Sequence, residues 1–350
     1  MGTAKEALHR LDHRSLPSAG SRFAADTMNS PARHGLEVTI RPLLEGELVA
    51  ADRIVRVAFG TFLGMPDPTG FMGDAALART RWLADPSAAL AAEHAGKLIG
   101  SNFATNWGSF AFFGPLTVDP EYWNRGIAQQ LLGPTMDIFR RWGNRHLGLY
   151  TFAHSPKHMA LYQKFGFWPR DLVCNFTKAM DGTIEAAKDT LRFSESKLTD
   201  RESILRACRE VSGAVFEGLD VQREIHAVAD QKLGDTVLVW DASRLVAFAV
   251  CHSGAGSEAG SGVCYVKFAA VRPGNRAGQD FVRLLRSIEA FAGSRNVAKI
   301  TADVNVARRE AFRALLAYGF RPGMQGVAME TGDASSGYNR SDVYILDDWR

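Results

Sequence analysis

The chain has 350 residues, 46% hydrophobic and 23% charged, which is ordinary for a folded globular protein and enough for two cores. Its 41 basic and 38 acidic residues leave a net charge of +3, so charge argues for neither a nucleic-acid nor a membrane partner. Four cysteines, Cys174, Cys208, Cys251 and Cys264, include no C-x-x-C pair and read as reduced thiols packed as small hydrophobes, with no metal site expected.

Residues 1–36 hold no apolar run of signal-peptide length and read as a disordered tail. No run approaches the roughly 18 apolar residues of a membrane span, so a cytoplasmic location is expected. Residues 37–41 alternate as a short strand, and Leu44, Leu48, Ala51, Val55 and Ala58 then mark one helix face. A Pro- and Gly-rich loop at 66–73 precedes a second helical piece over 75–83. Residues 88–93, 97–107 and 110–118 read as three strands of an antiparallel meander. The third should end at Val118, because Asp119-Pro120 follows and proline cannot donate to a ladder. Ile127, Leu131, Ile138 and Trp142 share a face of a helix expected to begin near Asn124. Its first turn, with unpaired amides and the positive end of the dipole, suits an anion, and Gly126 and Ala128 leave room for a phosphate to reach the backbone. A strand over 147–152, a helix beyond Ser155 and a short closing segment from Gly166 to Met180 follow.

Two stretches resemble the GNAT acetyltransferase superfamily. Trp123-Asn124-Arg125-Gly126-Ile127-Ala128 is similar to motif A, whose pattern is Arg or Gln, two residues, Gly, one residue, then Gly or Ala. Trp123 departs from it at the Arg or Gln position, which removes one side-chain phosphate contact while leaving the backbone amides. From Ser155, S-P-K-H-M-A-L-Y-Q-K-F-G-F resembles motif B, with Ser155 in the place of Asn. The resemblance implies the α/β (α+β) GNAT fold, a mixed and mostly antiparallel splayed sheet flanked by helices, over residues 37–180.

After a linker at 181–190 the pattern repeats. Strands are expected at 191–194, 236–240, 245–251, 263–271 and 299–304, and helices at 201–216, 221–233, 277–293 and 306–317, with G-A-G-S-E-A-G-S-G as a flexible hairpin loop. Val118 maps to Val271, Leu131-Leu132 to Leu284-Leu285, Gly166-Phe167 to Gly319-Phe320 and Pro169 to Pro322, all at an offset of 153. This is an internal duplication, giving two tandem GNAT-like domains, the second over 191–350. At the same offset Gly126 becomes Gln279, Ala128 becomes Phe281 and Tyr162 becomes Leu315, so the second copy is expected to be degenerate and not to bind CoA in the usual way. The second copy closes with a longer segment that adds a strand-like run at residues 341–349, and the edge left by the short closing segment of the first copy is expected to be covered by the second domain.

The resemblance implies acetyl-CoA as co-substrate and transfer of its acetyl group to an amine by direct attack in a ternary complex. The strand end Leu116-Thr117-Val118 would lie along the donor, with the Val118 N–H facing the thioester oxygen. Amides from Asn124, Arg125, Gly126, Ile127, Ala128 and Gln129 would hold the pyrophosphate, with Ser155 nearby. Tyr162 matches the family's proton donor to the leaving sulfur, and an O–H suits that task because a thiolate needs only partial protonation. The general base is His154, or alternatively His158 one turn before Tyr162. The acceptor is a small-molecule or protein amine, no nucleic acid or membrane partner is expected, and a homodimer is left open. The competing readings are a non-enzymatic acyl-CoA-binding or assembly module, and an acyltransferase with another acyl donor or acceptor.

Overall fold

The computed structural model describes residues 36–182, 184–332 and 336–349. The tail expected at 1–36 lies outside the described residues except for Leu36. The first half runs β1 (Thr39–Pro42), α1 (Leu48–Phe62), α2 (Leu77–Ala84), β2 (Ala89–His94), β3 (Lys97–Trp107), β4 (Phe110–Phe113), β5 (Thr117–Val118), α3 (Ile127–Trp142), β6 (His146–Thr151), α4 (Pro156–Gln163) and β7 (Phe167–Ala179). The second runs β8 (Thr190–Arg192), α5 (Arg201–Val215), α6 (Gln222–Asp230), β9 (Gly234–Asp241), β10 (Arg244–Gly254), β11 (Gly260–Val271), α7 (Ala277–Ser294), β12 (Lys299–Asn305), α8 (Arg309–Ala317), β13 (Arg321–Thr331) and β14 (Ile345–Asp347).

Three sequence expectations shift. The strand over 110–118 is two pieces, because Gly114-Pro115 interrupts the ladder and Pro115 has no N–H to give it. The helix expected near Asn124 starts at Ile127, because Asn124 and Gly126 both hold positive φ, 63° and 77°, outside helical geometry. The short closing segment is a 13-residue strand, β7. The shared register of the copies is visible in the elements, since β12 begins 153 residues after β6, and α8 begins 153 after α4.

One continuous sheet joins the halves, in the order β1-β2-β3-β4-β6-β13-β7-β12-β11-β10-β9-β8. Its centre is an exchange. β13, from the end of the chain, lies antiparallel beside β6 of the first half, with Val327 opposite Thr151. β7, the last strand of the first half, lies antiparallel beside β12 of the second, with Ala302 opposite Phe176. The edge expected beside β7 is therefore covered on both sides by strands of the second half, β12 and β13. Burial follows the exchange. Phe176 and Cys174 of β7 pack with Phe281, Leu284 and Ile300 of the second half, and Val327 and Met329 of β13 pack with Leu131, Phe139 and Tyr162 of the first. All four cysteines are buried and unpaired by disulfides.

Both copies open a gap where two parallel strands diverge, and only one gap stays open. In the first half β4 and β6 pair over three residues, ending at Phe112 opposite Gly148. In the second half β11 and β12 pair from Val263 to Val266, and β14 then takes β12's place against β11, with Ala270 opposite Ile345.

Candidate active site

The open gap of the first half forms a cleft of about 930 Å³ whose walls come from both halves. Every residue from Leu116 to Val118 and from Asn124 to Gln129 lines it, together with Ser155 and Tyr162. His154 is exposed and stacks on Phe62 at 5.8 Å between ring centroids, outside the lining, whereas His158 is part of the wall.

The amide of Val118 is freed by strand parity. Asp119 donates its N–H to the Ile99 carbonyl at 2.8 Å, and Thr117 pairs with Ser101. Alternate residues of an antiparallel ladder face opposite edges, so Val118 between them turns its N–H away from β3 toward the gap. Its carbonyl on the same edge accepts the indole N–H of Trp123 at 2.7 Å. Trp123, the residue that departs from motif A, thus braces the loop against the end of β5. Its neighbour Asn124 accepts from Lys157 Nζ at 2.5 Å, linking this loop to α4.

Gly126 caps α3 in a left-handed conformation, and an added Cβ would meet nothing within 4 Å, so the first turn faces open space. The four unpaired amides of a helix start and its dipole are available there to an anion. Arg125, Lys157 and Lys164 place positive charge on this part of the wall. Ser155 caps α4, its Oγ accepting the N–H of His158 at 3.4 Å.

Tyr162 is buried on α4, where its hydroxyl meets the Thr151 side chain. Burial pushes the phenol up to about 12, the Thr151 hydrogen bond offsetting part of that rise, so the group stays protonated near neutrality. It is a protonated hydroxyl held beside the gap. Burial, with Lys157 and His154 adding to it, lowers the pKa of His158, which therefore stays neutral to lower pH than an ordinary histidine.

The facing wall is absent from the sequence reading. The loop expected to be a flexible hairpin carries Glu258, buried and gripped by Arg81 of α2 and Lys267 of β11, each at 2.9 Å. Burial alone would raise its pKa, but the two cations overcome this and hold it well below the usual carboxylate range. Asp348 also lines the cleft, its Oδ2 accepting from the Tyr265 hydroxyl. Its neighbour Trp349 receives the N–H of Tyr150 on its carbonyl at 3.3 Å, in the gap left as β6 departs from β4. A lone Glu in a Gly-Ser loop and an Asp near the chain end carry no periodic signal, so only the fold brings them here.

The residues present fit a nucleotide-linked thioester. An open helix start, basic side chains beside it, a freed strand amide and a neutral phenol share one cavity. Among the described residues no group of three or more His, Cys, Asp or Glu is arranged to hold a metal, and no helix is long and apolar enough to cross a membrane.

A strand, a tight loop and an open helix start meet at the splay of the mixed sheet in this first half. Residues 58–167 match the model of the acetyltransferase (GNAT) family and form a GNAT domain. The fold is similar to that of a candidate acetyltransferase from Pyrococcus horikoshii, at 14% identity over 97% of this chain and 99% of that one, with a TM-score of 0.64. It is also similar to a GCN5-related N-acetyltransferase from Sphaerobacter thermophilus, at 14% identity over 86% and 98% of the two chains and a TM-score of 0.54. A glucosamine N-acetyltransferase region of a fungal multi-domain β-N-acetylglucosaminidase shares 12% identity over 84% of this chain and 38% of that one, with a TM-score of 0.56. No curated protein matches the sequence.

Proposed function

We propose that the chain is an N-acyltransferase that uses acetyl-CoA, with the first-half cleft as its only catalytic site. The observation that carries this reading is that the Val118 amide edge and the protonated Tyr162 face one cavity that also holds the open start of α3. Bound acetyl-CoA supplies an activated acyl carbon and a thiolate leaving group.

The chain's residues then have separable tasks. Amides from Asn124 to Gln129, with Arg125, hold the pyrophosphate. The Val118 N–H donates to the thioester oxygen, where charge grows as the amine attacks. As the C–N bond forms and the C–S bond breaks, the departing electron pair stays on sulfur and takes the Tyr162 proton, and the proton shed by nitrogen returns to Tyr162. His158, on the wall and neutral, is better placed than His154 to relay that proton.

The second half acts as a wall and not as a second enzyme. The Val271 amide, equivalent to Val118, donates to the Tyr344 carbonyl at 3.1 Å, and the Tyr344 ring lies 5.1 Å from that of Phe281. An assay of the purified chain with acetyl-CoA and a panel of amines, reading free CoA, tests the proposal. CoA release that depends on an amine is expected, and acetyl-CoA binding with no turnover of any amine would leave a binding module instead.

A further inference from the structure

On the reading that Tyr162 protonates the leaving sulfur, the direction of its O–H matters as much as its protonation. The Phe113 ring lies 5.7 Å from that of Tyr162, and Phe167, Val327 and Met329 share their buried cluster. Packing of this kind fixes the ring and leaves the hydroxyl unaimed, because a carbon surface makes no hydrogen bond. The Thr151 hydroxyl supplies one, and both residues line the cleft.

The end of β6 that carries Thr151 is held twice by the second half. Val327 of β13 lies opposite Thr151, and Ala328 opposite Tyr150. Gly326 makes that approach possible: a Cβ there would lie 2.3 Å from the Tyr150 ring and 2.5 Å from the Thr151 carbonyl oxygen. In the gap where β6 leaves β4, the Tyr150 N–H donates to the Trp349 carbonyl at 3.3 Å. Trp349 is itself fixed, its indole N–H donating to Asp347 at 2.9 Å and its ring lying 4.8 Å from that of Phe110. Thr151 is buried, and a β-branched side chain on so constrained a strand has few rotamers.

We propose that Thr151 is a positioning residue for the reaction: its hydroxyl donates to the Tyr162 oxygen, which leaves the phenol's own proton for the cleft and steadies the oxygen once that proton has gone to sulfur. In the step the phenol O–H bond breaks and an S–H bond forms, the phenol oxygen keeps its electron pair, and Thr151 keeps its proton throughout. The proton shed by the amine nitrogen then restores the phenol. A donated hydrogen bond is stronger to a phenolate than to a phenol, so the contribution of Thr151 grows as the proton leaves. The same bond offsets part of the rise that burial imposes on the Tyr162 pKa, the sense expected of a donor to the phenol oxygen.

The test is a double-mutant cycle in the full chain, Thr151→Val with Tyr162→Phe, read as amine-dependent CoA release, with acetyl-CoA affinity measured separately by calorimetry. Valine keeps the branched shape and removes the hydroxyl. Thr151→Val is expected to lower kcat about tenfold or more with acetyl-CoA affinity unchanged, and Thr151→Ser to keep kcat within about threefold of the parent. In the Tyr162→Phe background Thr151→Val should cost less than about twofold, because a hydroxyl that acts through the phenol has nothing left to act on. An equal loss in both backgrounds makes Thr151 a packing residue and overturns the proposal, as does a parental kcat in Thr151→Val or a Thr151→Ser variant as slow as Thr151→Val. These outcomes leave the reading of Tyr162 standing. A parental kcat in Tyr162→Phe, or a parent chain that turns over no amine, overturns that reading and the role of Thr151 together.

Discussion

The backbone N–H of Val271 donates to the carbonyl of Tyr344 at 3.1 Å, whereas Val118, its equivalent 153 residues earlier, turns its N–H to an open cleft. The chain's own C-terminal strand occupies in the second copy the place that the first copy keeps open. A Cβ on Gly278 at the start of α7 would lie 2.8 Å from the Tyr344 hydroxyl, so that helix start is covered as well.

One CoA site per chain follows. Calorimetry with acetyl-CoA should return a stoichiometry of one, and Gly126→Glu should abolish binding. That substitution puts a bulky anion where the pyrophosphate would lie and forces a non-glycine residue to φ 77°. A stoichiometry of two, or unchanged affinity in the variant, would remove the assignment.

Loss of the Tyr162 hydroxyl should slow chemistry without loosening the donor. Tyr162→Phe is expected to lower kcat on the identified amine about 100-fold, the usual range for a positioned proton donor, with acetyl-CoA affinity unchanged. Equal turnover would leave Tyr162 a core residue bonded to Thr151.

A chain ending at Met180 should not remain a folded monomer. It would lack β13 beside β6 and β12 beside β7, leaving two long edges unpaired and the Val327 and Met329 side of its core empty. Size-exclusion chromatography is expected to show association or little soluble protein, and a monodisperse monomer that binds acetyl-CoA would contradict the importance of the exchange.

The buried triad of Arg81, Glu258 and Lys267 should make stability sensitive to acid. The Glu258 carboxyl is held well below its ordinary value of 4.5, the cations outweighing burial, so its contribution is complete above 4.5 and is lost as the pH falls through the depressed folded value. Denaturant unfolding from pH 6 downward should show a smaller acid-induced loss in Glu258→Gln than in the parent. Arg81→Leu, which leaves a buried carboxylate with one partner fewer, should cost about 3–5 kcal/mol at neutral pH. Parallel pH profiles of Glu258→Gln and the parent would refute the linkage.

The sequence by itself determined the features written in local chemistry. Residues 123–128 and 155–167 carry the donor-side motifs because a tight turn, a small residue at a helix start and an amphipathic face must each be spelled by adjacent residues. The repeated order of elements was legible for the same reason, since matched positions recur at a constant offset of 153. Tertiary structure alone decided the partners of those elements. Strand exchange between β7 and β13 depends on which edges meet, and a hydrophobic strand reads alike beside either neighbour. The facing wall was equally hidden: Glu258 lies in a stretch that reads as a Gly-Ser loop, and Asp348 follows a three-residue strand, so their chemistry appears only when Arg81, Lys267 and Tyr265 are brought to them from elsewhere in the chain. Burial and charge pairing between distant residues are set by the packed fold, and neither leaves a period in the sequence.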